Sequence, residues 1–211
     1  METDKYGEFS VEEAKNLLYG EVGSVLGWKF LKSKNSYKKV IGDLVLEVMF
    51  FSSKWNESYH SVEVQCEFRM WCKKWGKTSN VNSSVGFLSL NPQDKSWWNI
   101  STANEFNKTS EQICKRITEK IIPVAEKFET DFPAAVNDLA GEPMFSEYHL
   151  RIEFIDLYAG RAKALEVSKN LFRTLSDREK NEIEQYRQGA RDKMWMINPS
   201  NLRYMADHDL L

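Results

Sequence analysis

The chain has 211 residues, of which 42% are hydrophobic and 28% charged, and its 29 basic and 31 acidic residues nearly balance. This length and composition predict a globular protein with one domain, or one domain with a helical extension, and argue against a disordered chain. The net charge of −2 argues against a protein that binds duplex nucleic acid through a basic face, although it does not exclude a local basic patch.

The N-terminal segment and the cysteines suggest a compartment. METDKYGEFS lacks the basic segment and apolar run of a signal peptide, and no apolar stretch reaches the roughly 20 residues that span a bilayer. The three cysteines, Cys66, Cys72 and Cys114, are odd in number and match no zinc spacing, so we expect free thiols. We therefore expect a cytoplasmic protein without a membrane segment.

The first half of the chain predicts a helix followed by strands. Ser10 and Glu13 form a capping box, and the helical spacing of apolar residues after them ends near Gly23 and Gly27. The segment 28–53 then predicts three strands separated by two turns, and the strict alternation between Val62 and Met70 predicts a strand with one buried face. The short connections favour antiparallel pairing.

Shorter strand patterns and helices complete the chain. Further strands are predicted in VGFLSL and WWNI, with an exposed loop in the polar segment 76–84 before them. Thr109 and Gln112 suggest a capping box for the next helix, which Pro123 should kink or divide. Later helices are predicted over 131–141, over 147–172 with a break near Gly160, and after Ser176, before a polar tail with a short helical turn.

Together these patterns predict an α+β fold. An antiparallel meander with packing helices occupies residues 1–130, and a helical C-terminal extension, residues 131–211, packs on it.

The residues that follow the first helix resemble a known family. Gly27 to Phe30, Ser36 to Lys38, Ser52 to Trp55 and the later WWNI segment occur in the order typical of the bacterial Domain of Unknown Function 4304 family, over about residues 10–130. The chain departs from that pattern at Phe51, where glutamine is common. The resemblance implies a fold and carries no established activity. Leu157 to Lys169 also resembles part of a tetratricopeptide unit, but no second copy accompanies it.

A search for catalytic and metal-binding motifs yields no signature. Phosphate-binding glycine loops, a nucleophile elbow and the protein-kinase motifs are missing from the sequence. His60 near Glu57 is a candidate general base but is more typical of a solvated turn, and neither His149 with Glu153 nor the Asp207–Asp209 triplet makes a metal site alone. We expect no cofactor and no metal, and the sequence leaves catalysis open while favouring a non-enzyme.

Aromatic residues are the compositional excess, with seven tryptophans and 13% aromatic residues overall. They pack cores and sheet edges, but tryptophan also concentrates at interface hot spots. The candidate binding residues are those that lie in or beside the predicted sheet: Lys54, Trp55, Trp75, Trp97 and Trp98. Trp97 and Trp98 are adjacent, so on a strand one of them should face away from the core.

Three functions remain open. The first is a non-enzymatic intracellular protein-binding module, for which an immunity or antitoxin-like interaction is one concrete form. The second is an enzyme without a recognisable motif that uses a cleft with glutamate and histidine. The third is a single-stranded nucleic-acid binder, suggested by the interleaving of Lys54, Trp55 and the Lys73–Lys77 segment, although the acidic net charge and the lack of an RNA-recognition motif argue against it. The oligomeric state is undetermined.

Overall fold

A computed structural model describes residues 7–75, 84–91, 97–141, 150–189 and 199–211. Its helices are α1 (Val11–Leu26), α2 (Ala103–Arg116), α3 (Ile122–Thr130), α4 (Phe132–Leu139), α5 (Ile152–Tyr158), α6 (Arg161–Thr174), α7 (Asp177–Arg187) and α8 (Pro199–Asp207). Its strands are β1 (Lys29–Leu31), β2 (Ser36–Ile41), β3 (Leu44–Ser52), β4 (Glu63–Cys72), β5 (Ser84–Ser89) and β6 (Trp98–Asn99). The predicted α+β class is confirmed.

The strands form one sheet in the order β1-β2-β3-β4-β5, and β6 pairs with β4 outside that path. The β1–β2, β2–β3 and β4–β6 pairs are antiparallel. Short connections allow this meander, because adjacent antiparallel strands need only a turn between them. The short 3₁₀ helix Lys32–Lys34 joins β1 to β2, and Gly42, at φ 56°, lies in the turn between β2 and β3.

Helix α1 begins and ends where its sequence signals place it. The Ser10 hydroxyl accepts a hydrogen bond from the Glu13 amide, and the Glu13 carboxylate accepts one from the Ser10 amide, which completes the predicted capping box. The helix continues through Gly23 and ends at Gly27, whose left-handed backbone (φ 61°) glycine adopts without strain. Its buried face carries Leu18 and Val22, both fully buried.

The chain divides into two compact units. The first comprises Met1–Met70 and Leu88–Glu126, and the second comprises Trp71–Phe87 and Lys127–Leu211, so β4, β5 and α3 contribute residues to both. These bounds are not those of the predicted domains, 1–130 and 131–211, and the packing of the C-terminal helices on the rest stays a prediction.

The core of the first unit contains the inward face of the alternating strand. Val64, Cys66, Phe68 and Met70 are fully buried, whereas the intervening Arg69 is exposed. This is the period-two pattern of a strand with one covered face. Because burial raises the pKa of the Cys66 thiol, this cysteine stays protonated and packs as a small apolar residue.

In the second unit, α8 is tied to α5 and α6 by polar contacts. The buried Asn201 side chain accepts a hydrogen bond from the Ile152 amide at 2.9 Å. The Tyr204 hydroxyl donates to Asp156 at 2.9 Å, and Arg161 donates to the same carboxylate at 3.1 Å. Arg161 also donates to the backbone oxygen of His208 near the end of α8. The polar tail therefore contains a helix of nine residues rather than a single turn.

One predicted helix start is wrong. Helix α2 is capped by Thr102, whose hydroxyl accepts a hydrogen bond from the Glu105 amide, and not by Thr109. Both threonines satisfy the capping pattern, but the apolar face already begins at Phe106. Thr109 lies inside the helix, where its hydroxyl donates to the Asn99 carbonyl at 3.0 Å.

The remaining helix predictions agree with the structure where it describes them. A π-helical segment, Ile117–Ile121, separates α2 from α3 just before Pro123. Asp131 caps α4, Gly160 precedes α6, and Ser176 with Glu179 forms the capping box of α7. The predicted loop at 76–84 lies outside the described residues except for its last residue, which begins β5.

Candidate binding surface

The segment after β3, Ser53–Ser61, contains two successive turns, and we call it the tryptophan turn. The Asn56 side chain fixes its conformation, because it makes the backbone hydrogen bonds to Glu63 that a neighbouring strand would make. Its side-chain amide donates to the Glu63 carbonyl at 2.9 Å and to the Ser52 hydroxyl at 3.0 Å, and its oxygen accepts from the Glu63 amide at 2.7 Å. One side chain therefore hydrogen-bonds both backbone groups of Glu63, and this fixes the conformation of the turn.

The tryptophan turn is also attached to the segment before α1. The Tyr59 amide donates to the Phe9 carbonyl at 2.8 Å, and the Val11 amide donates to the Ser58 hydroxyl at 3.1 Å. Tyr59 itself has a left-handed backbone, with φ 61°, which is uncommon for a residue with a bulky side chain. The local hydrogen bonds hold this conformation.

The turn presents aromatic side chains to solvent. Trp55 is 78% exposed and Tyr59 is 56% exposed. The ammonium group of Lys54 lies 4.8 Å from the centroid of the Trp55 ring, a cation–π contact that favours an ordered position of the indole. The exposed tryptophan and tyrosine on one turn are candidate binding residues, because exposed apolar patches are typical of interaction sites.

The other predicted binding residues do not share this environment. Trp98 is 5% exposed in the core, with the Arg116 guanidinium carbon 5.9 Å from its ring centroid. Trp97 is half-buried, so of the adjacent pair it is the more exposed residue. The side chain of Trp75 lies outside the described residues. The structure therefore brings Lys54 and Trp55 together and keeps Trp98 away from the surface.

A groove opens beside the tryptophan turn, between the first half of α1 and the β1–β2 connection. It has a volume of about 790 Å³ and is open to solvent, and Ser58 of the turn belongs to its wall. The floor is aromatic: the rings of Tyr19 and Phe30 lie 5.3 Å apart between centroids, and Tyr19 is almost fully buried. Groove and turn are therefore one continuous surface.

The aromatic floor continues into the core. Tyr37 and Phe50 pack against Tyr19 and Phe30, with ring centroids 4.9 Å apart for both Tyr19–Phe50 and Phe30–Tyr37. The Tyr37 hydroxyl donates to the Tyr19 carbonyl at 2.5 Å. Burial raises the pKa of Tyr19 to about 12 and raises the pKa of Tyr37, so both phenols remain neutral, and Tyr37 keeps the proton that it donates.

Polar groups on the groove walls are unused within the described part of the chain. Lys15 and Lys32 form no ion pair there, and the side-chain amides of Asn16 and Asn35 make no hydrogen bond there. Glu12 adds one carboxylate to the helical wall. The sequence did not indicate these residues, or Tyr59, because they lie in three separate segments of the chain that only the fold brings to one surface.

Comparison of the chain with protein-family models, with curated proteins and with solved structures found no significant match. The resemblance to the Domain of Unknown Function 4304 family therefore stays a prediction.

The described residues provide no observation that supports catalysis or metal binding. No group of three histidine, cysteine, aspartate or glutamate side chains among them could hold a metal ion, and the described lining of the groove includes no histidine. His60 is exposed on the tryptophan turn, His208 stacks on Tyr204 at 4.1 Å, and His149 lies outside the described residues. In the same part of the chain, no helix has the length and apolar character needed to cross a membrane.

Replacing Asn56 with alanine should destabilise the tryptophan turn. The substitution removes three hydrogen bonds and leaves the partly buried Glu63 amide without its partner, whereas the Glu63 carbonyl still accepts a hydrogen bond from the Ser53 amide. We expect a loss of about 1–2 kcal/mol in the free energy of unfolding, measured by urea denaturation, and faster hydrogen exchange at the Glu63 amide. Asn104→Ala, on the exposed face of α2, is the matched control and should leave both quantities unchanged. Unchanged exchange at Glu63 in the Asn56 variant would contradict the prediction.

Proposed function

We propose that this protein is a non-enzymatic protein-binding module and that the tryptophan turn is the centre of its contact surface. The observation that carries the proposal is the exposure of Trp55, 78% in a turn held by the Asn56 hydrogen bonds. Tryptophan is enriched among residues that dominate binding energy, because burying its large ring in a partner removes much apolar area from water.

The fixed conformation of the tryptophan turn supports the proposal. A flexible loop loses conformational entropy when it binds, and that loss reduces the affinity. The hydrogen bonds of Asn56 and the contact between Lys54 and Trp55 fix the conformation of the turn in the free protein. Tyr59, at 56% exposure, adds a second aromatic side chain to the same turn.

An immunity or antitoxin-like protein, which binds one partner protein stoichiometrically, is the concrete form that we propose. The proposal includes a cytoplasmic location. Cys66, Cys72 and Cys114 are all free thiols, which are typical of proteins in a reducing compartment.

Trp55→Ala should weaken the binding of a partner about 30-fold, since a hot-spot residue contributes about 2 kcal/mol or more. The partner is first captured from a lysate of the source organism with the full chain as bait. It is then purified and titrated by calorimetry against the wild type, Trp55→Ala and Leu157→Ala. Leu157 is a matched control, because it is a large apolar residue at 53% exposure in α5, away from the turn in the sequence.

The titration decides between the outcomes. A stoichiometric complex that Trp55→Ala weakens and Leu157→Ala does not would support the proposal. Equal affinities for the wild type and Trp55→Ala would contradict it, provided that circular dichroism shows the same folded spectrum for both.

Single-stranded nucleic acid is a second candidate ligand of the same turn. The observation in its favour is the ammonium of Lys54 beside the exposed Trp55 ring, since such binders combine phosphate contacts with base stacking. A fluorescein-labelled thymidine oligonucleotide of about 20 nucleotides tests it. Binding that falls steeply with salt and that Trp55→Ala abolishes would favour this function over the protein-binding one.

A further inference from the structure

The groove beside the tryptophan turn carries charge and hydrogen-bonding groups that the described residues leave unused. Lys15 on one wall and Lys32 on the other have no ion-pair partner among them. The amides of Asn16 and Asn35 likewise make no hydrogen bond there. Polar groups placed around an apolar floor in this way are the usual composition of a ligand site.

The charged residues that line the groove are two lysines, Lys15 and Lys32, and one glutamate, Glu12. Residues 28–42 contain five lysines and no acidic residue, and Lys29, Lys32 and Lys34 are exposed. Lys15 faces this segment across the groove, and the adjoining turn carries one lysine, Lys54, and one glutamate, Glu57. Lysines gathered around one concave surface attract an anionic ligand and increase its rate of association.

The floor and the helical wall indicate which anionic ligand this is. A nucleic-acid strand carries a negative charge at every nucleotide, and Glu12 on the wall would repel it. A peptide can place carboxylates at Lys15 and Lys32 and a neutral residue at Glu12. It can also place an apolar side chain on the floor formed by Tyr19 and Phe30, while its backbone bonds the unused amides of Asn16 and Asn35.

We propose that the groove binds an acidic, extended segment of the partner protein while the tryptophan turn contacts the partner beside it. This inference rests on the proposed function and deepens it by naming the chemistry of the partner. Ser58 belongs to the groove wall and lies in the turn, so one bound segment can continue from the groove to Trp55.

A phage-displayed library of random dodecapeptides is the probe for this groove. It is selected on three forms of the full chain: the wild type, the double variant Lys15→Glu/Lys32→Glu, and Lys108→Glu. Lys108 is an exposed lysine of α2 outside the groove, so it controls for the general effect of a charge reversal. Thermal melting of the three forms checks that each is folded.

The wild type should enrich peptides with a higher share of aspartate and glutamate than the unselected library, together with an apolar or aromatic residue. A synthetic copy of the most enriched peptide should bind the double variant about tenfold or more weakly, because two attractive contacts become repulsive. Lys108→Glu should change its affinity by less than about twofold.

Three results would overturn the inference: enriched peptides without acidic bias, an unchanged affinity for the double variant, or displacement of the peptide by the thymidine oligonucleotide. The partner titration then separates the two proposals. If the captured partner depends on Trp55 and binds the double variant as well as it binds the wild type, only the groove inference fails. If the partner binds Trp55→Ala with the affinity of the wild type but binds the double variant more weakly, only the role of the tryptophan turn fails.

Discussion

Replacing Phe68 with alanine is expected to lower the free energy of unfolding by about 3–5 kcal/mol. Phe68 is fully buried and lies on the inward face of β4, between Cys66 and Met70, which are also fully buried. The loss has two parts. The variant lacks the free energy gained when folding transfers the ring out of water, and it pays for the cavity that remains because the surrounding side chains relax only partly. Urea denaturation followed by circular dichroism measures it.

Two further substitutions keep this prediction testable if the alanine variant does not fold. Phe68→Leu retains most of the apolar volume and should cost less than about 2 kcal/mol. Arg69→Ala, one residue along β4, removes an exposed ion pair with Glu67 and a contact of the guanidinium with the Phe51 ring, and should cost less than about 1 kcal/mol. A similar cost for the Phe68 and Arg69 alanine variants would show that β4 does not have one buried and one exposed face.

The contrast between Phe68 and Arg69 shows which part of the fold is readable from the sequence. Alternation along β4 and the capping boxes at Ser10 and Ser176 predict structure correctly, because each depends on residues only a few positions apart. The cap predicted at Thr109 is wrong because that prediction also used only residues a few positions apart. Two threonines match one pattern, and the deciding feature is the position at which the apolar face of the helix begins.

The candidate surface was only partly predictable. Lys54 and Trp55 follow a buried strand in a segment rich in turn residues, and this indicates an exposed position. Trp98 lies on a strand of two residues, too short for an alternating pattern to assign a face. The groove joins residues of α1 to residues of the β1–β2 connection and of the tryptophan turn, and no local pattern reports contacts over such distances in the chain.

Two glycines in one helix should respond to alanine in opposite ways. Gly20 and Gly23 both lie inside α1, where alanine is favoured over glycine by about 1 kcal/mol because it restricts the unfolded chain. A Cβ atom at Gly20 would meet no atom within 4 Å. Gly20→Ala should therefore raise the free energy of unfolding, by up to about 1 kcal/mol.

Gly23→Ala should instead lower the free energy of unfolding, by about 1–3 kcal/mol. A Cβ atom there would lie 2.5 Å from the Tyr37 hydroxyl oxygen and 3.0 Å from the ring carbon that bears it. Tyr37 has little room to move, because it is 6% exposed, packs on Phe30 and donates its hydroxyl to the Tyr19 carbonyl. The lost hydrogen bond and the displaced ring together outweigh the gain in helix propensity.

A double-mutant cycle tests this cause directly. Tyr37→Phe removes the oxygen that the new methyl group would meet, so Gly23→Ala should cost less in the Tyr37→Phe background than in the wild type. The expected coupling is about 1 kcal/mol or more, which urea denaturation of the four proteins resolves. Equal costs in the two backgrounds would mean that the clash with the Tyr37 hydroxyl is not the cause. Because Tyr37 supports the aromatic floor of the groove through Tyr19 and Phe30, Gly23→Ala should also weaken binding of the selected acidic peptide, whereas Gly20→Ala should not.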